Sequence, residues 1–194
     1  MGTKRYSGFI VGGLLILLGI IVAVTFNMLV NKEEKVKLKW NEMQNAYQRR
    51  LDLIPTVVST VQGGAKYEQN VLEEVIAARA KANFVNVKVD DVNAQGYDAQ
   101  KQAQNELATV SNKLLFTVEK YPELKGTKPF VTLQTQLERT ELRIKVARKD
   151  FNDAIETYNG SVRSFPTSIT ASIFKFETKN GFQSDANKAT EIKF

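Results

Sequence analysis

The sequence has no histidine and no cysteine, and only one tryptophan and four prolines among 194 residues. Without imidazole there is no side chain that titrates near neutral pH unperturbed, and the commonest metal ligand is missing. Without thiol there is no disulfide, thiolate nucleophile, Fe–S cluster or thiolate zinc site. No phosphate loop, serine-triad motif or internal repeat of roughly 20–50 residues takes their place. These absences exclude most familiar catalytic constellations. The expectation is a protein that is not an enzyme, with no catalytic residue, no cofactor-binding residue and no metal ligand. The lack of cysteine is compatible with any redox compartment.

Charge is present and uneven. The net charge is +6, and Lys4 and Arg5, ahead of a long apolar run, carry two of those charges. The remaining basic residues are interspersed with acids and accompany no reading motif, so nucleic acid is not an expected partner. A mean hydropathy of −0.27 conceals the apolar run itself. Residues 8–26 carry no charge and, at about 1.5 Å per residue, reach roughly 28 Å, close to the hydrocarbon thickness of a bilayer. Met28, Leu29 and Val30 extend it, so the lipid bilayer is the expected partner from Phe9 to Val30. A cleaved signal peptide has a shorter apolar region ending in small residues, whereas this run ends in Val24-Thr25-Phe26-Asn27. An uncleaved signal-anchor is the better reading. Gly12, Gly13 and Gly19 are compatible with a close helix–helix contact, although glycine is common in membrane helices. Lys4 and Arg5 favour a cytoplasmic N-terminus, but Lys32, Lys35, Lys37 and Lys39 compete from the other flank. The balance favours the bulk of the chain on the extracytoplasmic side of a bacterial inner membrane, with the cytoplasmic side as the alternative.

Beyond the span, helical periodicity dominates. Phe130, Leu133, Leu137, Thr140, Ile144, Ala147, Phe151, Ala154, Tyr158, Ser161 and Phe165 recur at alternating steps of three and four. Pro129 suits a first helical turn and Pro166 a stop, which brackets one helix of about 36 residues. Val36, Trp40, Met43, Tyr47 and Leu51 form a stripe continuing the membrane helix outward to Pro55. Pro55 reads as a hinge that opens a second helix through Val58, Val61, Ala65, Leu72 and Val75 to about Ala82. The segment from Phe84 to Tyr97 reads as a loop, because an isolated strand at residues 85–89 would have no partner. Helical spacing resumes from Ala99 to Tyr121, and a turn follows from Pro122 to Lys128. After Thr167 the pattern fades, although Ile169, Ile173, Phe174 and Phe176 have the character to pack. The end of the chain reads as a polar tail with Phe182 and Phe194 as anchors. The fold class is therefore all-α: an N-terminal transmembrane helix, then an elongated antiparallel four-helix bundle, up-down, with long helices. The expected division is residues 1–30 as signal-anchor, 31–166 as bundle, and 167–194 as a partly ordered extension.

The order of these parts resembles the LemA family of bacterial membrane-anchored helical proteins. The likeness is carried by Trp40-Asn-Glu-Met and by Arg49-Arg-Leu-Asp-Leu-Ile-Pro-Thr-Val-Val. It continues in Gly64-Ala-Lys-Tyr-Glu, Ala78-Arg-Ala-Lys-Ala, Tyr121-Pro-Glu-Leu-Lys and Phe130-Val-Thr-Leu-Gln-Thr-Gln-Leu-Glu-Arg-Thr-Glu. The last blocks are Ala147-Arg-Lys-Asp-Phe-Asn-Asp-Ala, Tyr158-Asn and Ser164-Phe-Pro. The resemblance covers roughly residues 27–176. It implies a single-pass membrane protein with an elongated helical bundle, and it implies neither an enzymatic activity nor a ligand. Some members carry a lipobox cysteine; this chain has none, so its anchoring must be the helix itself.

Candidate interaction or register residues follow from the distinctive blocks. Arg49, Arg50 and Asp52 offer two guanidiniums that would take a carboxylate or phosphate bidentately, or would pair with Glu138 or Glu141 and set helix register. Glu141, Arg148, Asn152 and Asn159, with Glu138 and Asp153, are the polar complement of the long helix. Glu138 and Glu141 share one side at i and i+3, but nothing else expected of a carboxylate enzyme or di-metal site accompanies them. A buried hydrogen-bond network around Asn152 and Asn159 that sets helix register is the simpler reading. Trp40, Tyr47, Phe151 and Tyr158 sit at heptad positions and read as core before they read as an aromatic ligand pocket. Two functional classes remain: a scaffold with a protein partner in the envelope or a second copy of itself, and a sensor-type module binding a small molecule or lipid within the bundle.

Overall fold

A computed structural model describes residues 3–62, 69–85 and 94–182. Six helices account for most of them: α1 (Thr3–Gln62), α2 (Gln69–Phe84), α3 (Ala94–Val118), α4 (Pro122–Lys125), α5 (Lys128–Arg163) and α6 (Thr167–Phe174). No strand occurs among the described residues. The expected residues 86–89 of the isolated strand, Ala65, the Gly64–Glu68 block and Phe194 lie outside the described residues.

Four expectations about the helices need correction. Pro55 does not hinge the chain but lies inside α1, a single helix of 60 residues. A proline in a helix interior withholds one N–H, here the donor for the Leu51 carbonyl four residues back. The Arg79 Nε of α2 donates to that oxygen instead, at 2.9 Å. The second helix accordingly begins at Gln69 rather than at Pro55. Beyond Thr167 the pattern does not fade into coil; eight residues form α6, a helix too short for periodicity to reveal. It ends where Lys175 adopts a left-handed conformation (φ 59°) and donates its N–H to the Ala171 carbonyl. The long helix spans 36 residues, with Pro129 in its first turn, as its bracketing prolines require. Phe165, placed on the seam by spacing, falls beyond the end of α5 and is 82% exposed.

The described chain forms two compact units that are not consecutive in sequence. One comprises residues up to Leu38 together with Asp153–Lys179. Its α1 portion is long and apolar enough to cross a membrane: an 18-residue window has mean hydropathy 2.8 and only 6% of it is buried. Large side chains from Phe9 to Val24 are exposed on all sides, and burial begins with Thr25 and Leu29. The buried residues of this unit on α5 and α6 are Ala154, Ile155, Tyr158, Ser161, Thr167, Thr170 and Ala171. The Lys32 ammonium donates to the Ser161 hydroxyl, and Lys179 pairs with Glu33 at 2.7 Å.

The second unit comprises Lys39–Asn152 and the chain from Asn180. Its aliphatic core draws Leu51, Ile54, Val57, Val58 and Val61 from α1, Val71, Leu72, Val75, Ala78 and Ala82 from α2, Ala103, Leu107, Leu114 and Val118 from α3, and Phe130 and Leu133 from α5. Burying such side chains stabilises by about 1.5–3 kcal/mol each before entropy is counted. An aromatic cluster supplements it: Trp40, Tyr97, Phe151 and Phe182, with ring centroids 5.1 to 6.5 Å apart. Trp40, Tyr47 and Phe151 here, and Tyr158 in the first unit, are each at most 2% exposed, so all four are core residues.

Candidate functional site

The polar features of the second unit converge on the middle of α5. Arg50 on α1 is only 3% exposed, yet both terminal nitrogens of its guanidinium are hydrogen-bonded. Nη2 donates to Glu141 Oε2 of α5, and Nη1 donates to the Gln104 carbonyl of α3 at 2.8 Å and to Gln104 Oε1 at 3.3 Å. One side chain thereby joins three helices. Burial pushes the Arg50 pKa down, and the Glu141 carboxylate opposes that shift. The Glu141 side chain is 56% exposed, so the pair has one dry end and one wet end.

Beside it, Arg148 donates from Nε to the Tyr47 hydroxyl at 2.7 Å and from Nη2 to Asn105 Oδ1 at 3.0 Å. Its guanidinium carbon also stands 5.4 Å from the Tyr47 ring centroid and 5.9 Å from that of Phe182. Burial raises the Tyr47 pKa, partly offset by the Arg148 charge. Arg49 and Asp52 are not part of this constellation. Both are exposed, and Asp52 accepts a hydrogen bond from Gln48 Nε2 at 2.8 Å within α1. The structure therefore joins Arg50 to Glu141 and Arg148 to Tyr47, and leaves Arg49 and Asp52 on the surface.

The two asparagines of α5 are partly buried, and rather than setting the register of one helix against another they hydrogen-bond the backbone of the chain that follows α6. In the second unit, Asn152 receives the Phe182 N–H at Oδ1 (2.9 Å) and donates Nδ2 to the Phe182 carbonyl (3.0 Å). In the first unit, Asn159 holds Lys179 in the same way, at 2.8 and 2.7 Å. A carboxamide offers a donor and an acceptor side by side, which matches both backbone groups of one extended residue.

Spacing did not single out Gln104, Gln44 or Gln100. Gln44 and Gln100 exchange reciprocal amide hydrogen bonds at 3.0 and 2.9 Å. A buried glutamine on a helix is visible in sequence only as a polar residue interrupting an apolar stripe, and Gln104 beside Ala103 and Leu107 is such an interruption. Among the described residues, no buried side-chain nitrogen or oxygen lacks a partner.

Two concavities flank α5 in this unit. A cavity of about 420 Å³ is lined by Arg50, Ser111, Glu138, Glu141, Leu142 and neighbours. A groove of about 680 Å³ is lined by Arg49, Asp52, Leu142, Arg143, Val146 and Asp150 among others. Leu142 is shared by both; it is 62% exposed, and Val146 one turn further on is 50% exposed. Among the described residues, no group of three or more carboxylates converges as a metal site would require. The arrangement suits binding: an apolar ridge with charged flanks and a buried cation behind it.

A family model described as the LemA family matches residues 39–194. Among curated relatives, Protein LemA of Metamycoplasma hominis is 20% identical over 157 residues, covering 77% of this chain and 68% of its own length. Magnetosome proteins MamQ 2 and MamQ 1 of Paramagnetospirillum magneticum are each 23% identical over 175 residues, covering 81% of this chain. The chain spans 64% of the length of those two relatives.

Proposed function

The chain belongs to the LemA family, and on that premise we propose that it is a single-pass membrane protein whose helical part docks a second protein and catalyses no reaction. In this reading α1 crosses a bacterial inner membrane through residues 8–26, Lys4 and Arg5 stay in the cytoplasm, and the helices beyond the span lie on the extracytoplasmic side. α1, α2, α3 and α5 are read as an up-down four-helix bundle, supported by their shared aliphatic core.

The observation that carries the proposal is the ridge of Leu142 and Val146. Both are large, apolar and at least half exposed, and they line one groove together, whereas the seam residues Phe130, Leu133, Ile144, Phe151 and Tyr158 of the same helix are buried. Arg49, Asp52, Arg143 and Asp150 stand around them. An apolar centre with a charged rim is the anatomy of a protein interface, where the centre supplies affinity and the rim orientation. The experiment is a photo-crosslinking residue at Leu142 in the full chain in native membranes, resolved by mass spectrometry. One reproducible adduct is expected, lost in Val146→Asp with thermal unfolding unchanged; an adduct of twice the chain mass identifies a second copy as partner. Recovery of monomer alone overturns the reading.

A second reading rests on the cavity beside Arg50. A small anion there would compete with the half-exposed Glu141 for a buried guanidinium, as a sensor module would require. An anion-dependent rise in Tm that Arg50→Met abolishes would favour it over docking.

A further inference from the structure

Between Arg163 and Lys175 lie eleven residues without a charge, and eight of them form α6. The helix has two unlike sides. Thr167, Thr170 and Ala171 are buried, while Ile169 and Ile173 on the other side are 51% and 61% exposed. Phe165, in the turn before it, is 82% exposed. In water, so many apolar side chains on one short element would be an unrelieved cost.

The partners of α6 within its own unit indicate what covers that side. Thr170 Oγ1 hydrogen-bonds Thr25 Oγ1 at 2.7 Å in a buried contact. The Phe26 ring lies 4.7 Å from that of Phe174 and 5.7 Å from that of Phe176. Thr25 and Phe26 lie in the C-terminal part of the charge-free run between Arg5 and Lys32. The helix is thus attached to α1 within the last third of its apolar run, just beyond the exposed Ile20, Ile21 and Val24 in sequence. The polar groups at this contact are satisfied: the Thr25 hydroxyl also bonds the carbonyls of Ile21 and Val22 at 2.7 and 3.1 Å. A hydroxyl pair and Phe174 against α1, with Ile169 and Ile173 left exposed, is compatible with helices packed in lipid, where polar side chains hydrogen-bond between helices.

We infer that α6 is a second membrane-embedded element, lying at the boundary between headgroups and acyl chains with Phe165, Ile169 and Ile173 in lipid. This rests on the reading of residues 8–26 as a membrane span. Eight residues reach about 12 Å, far short of the roughly 30 Å hydrocarbon core, so α6 lies along the membrane surface and does not cross it. Arg163 and Lys175, at its two ends, reach the lipid phosphates along their alkyl stems.

The absence of native cysteine makes the test direct. Spin labels are placed singly through Ile169→Cys, Ile173→Cys, Leu17→Cys and Glu156→Cys in the full chain, reconstituted in phosphatidylcholine–phosphatidylglycerol liposomes. Accessibility to oxygen, which concentrates in lipid, is compared with that to a water-soluble nickel chelate. The labels at 169 and 173 are expected to match Leu17, with an oxygen-to-nickel ratio several-fold above that at Glu156. If they match Glu156 while Leu17 remains lipid-exposed, the inference is overturned and the anchor stands. If Leu17 also matches Glu156, the anchor reading and this inference fall together. Labels at 169 and 173 shielded from both reagents would mean a protein cover, and would overturn it as well.

Discussion

Arg79 donates from Nε to the backbone oxygen of Leu51 at 2.9 Å, the oxygen that Pro55 leaves without its helical donor. A proline in a helix interior ordinarily costs about 3 kcal/mol, in part through that orphaned carbonyl. Here a cation on α2 caps the defect in α1, so the residue that weakens one helix specifies its contact with another.

That relation is testable as a double-mutant cycle. Arg79→Ala is expected to cost about 1–2 kcal/mol, because the carbonyl loses a charged donor. In a Pro55→Ala background the helix regains its own N–H, and the cost of Arg79→Ala should fall by more than half. Urea denaturation of the detergent-solubilised chain followed by circular dichroism measures both; equal costs in the two backgrounds would show that the contact is incidental.

The Arg50–Glu141 pair should respond asymmetrically. Glu141→Gln leaves a buried guanidinium without its carboxylate, at an expected cost of about 1–3 kcal/mol. Arg50→Met leaves only a half-exposed carboxylate, which water can solvate, and should cost less. Chemical denaturation of the two variants ranks them; the reverse order would mean that the Arg50 bonds to Gln104, not its charge compensation, dominate.

Alkaline stability depends on buried phenols. Burial, reinforced by the Glu33 and Glu177 carboxylates, pushes the Tyr158 pKa up from 10.0 to about 12. Burial also raises Tyr47 and Tyr97. Between those values the unfolded chain ionises while the folded chain keeps its proton, so stability is full below pH 10 and falls as pH rises towards 12. Tyr158→Phe should make that fall shallower, read as Tm against pH. An unchanged slope would place the Tyr158 titration at its ordinary value.

Each asparagine should protect its own amide. In Asn159→Ala the Lys179 N–H loses its acceptor, and in Asn152→Ala the Phe182 N–H does. A loss of roughly 1–2 kcal/mol predicts about tenfold faster hydrogen exchange at that amide. Exchange resolved by NMR should accelerate at one amide in each variant; acceleration at neither would show that other contacts hold the tail.

Phe151 stands in ring contact with Trp40, Tyr97 and Phe182. Phe151→Asp buries an unpaired carboxylate there and should abolish cooperative unfolding, whereas Phe151→Leu should cost about 1–2 kcal/mol. The single tryptophan, Trp40, reports the change by a red-shifted emission. A native-like spectrum and melt for the aspartate variant would refute the core assignment.

The features legible in sequence are those that repeat. The stripe Val36, Trp40, Met43, Tyr47 and Leu51 and the α5 positions Phe130, Leu133, Ile144, Phe151 and Tyr158 are all buried, because a helix returns to the same face every three or four residues. Misjudged features were single or short. Pro55 signals a break by its chemistry alone, and nothing nearby discloses that Arg79 will supply the missing donor. α6 is two turns long, and two turns hold too few residues to establish a period. For the candidate site, only Arg50 of the charged residues in the Arg49-Arg50-Leu51-Asp52 block is buried, and which carboxylate it meets depends on the register of α5 against α1.

The sequence alone therefore determined the helical class, the charge-free span, the extent of the long helix and the chemistry made unreachable by a chain without histidine or cysteine. Tertiary structure decided which polar groups meet: Arg50 with Glu141 and Gln104, Arg79 with Leu51, Asn152 and Asn159 with the returning tail, Thr25 with Thr170. The division has one physical cause. Burial of apolar area is non-directional and sums over many residues, so its pattern is written redundantly along the chain. A hydrogen bond requires one donor and one acceptor within about 3 Å and in line, a condition that residues distant in sequence meet only once the helices are packed.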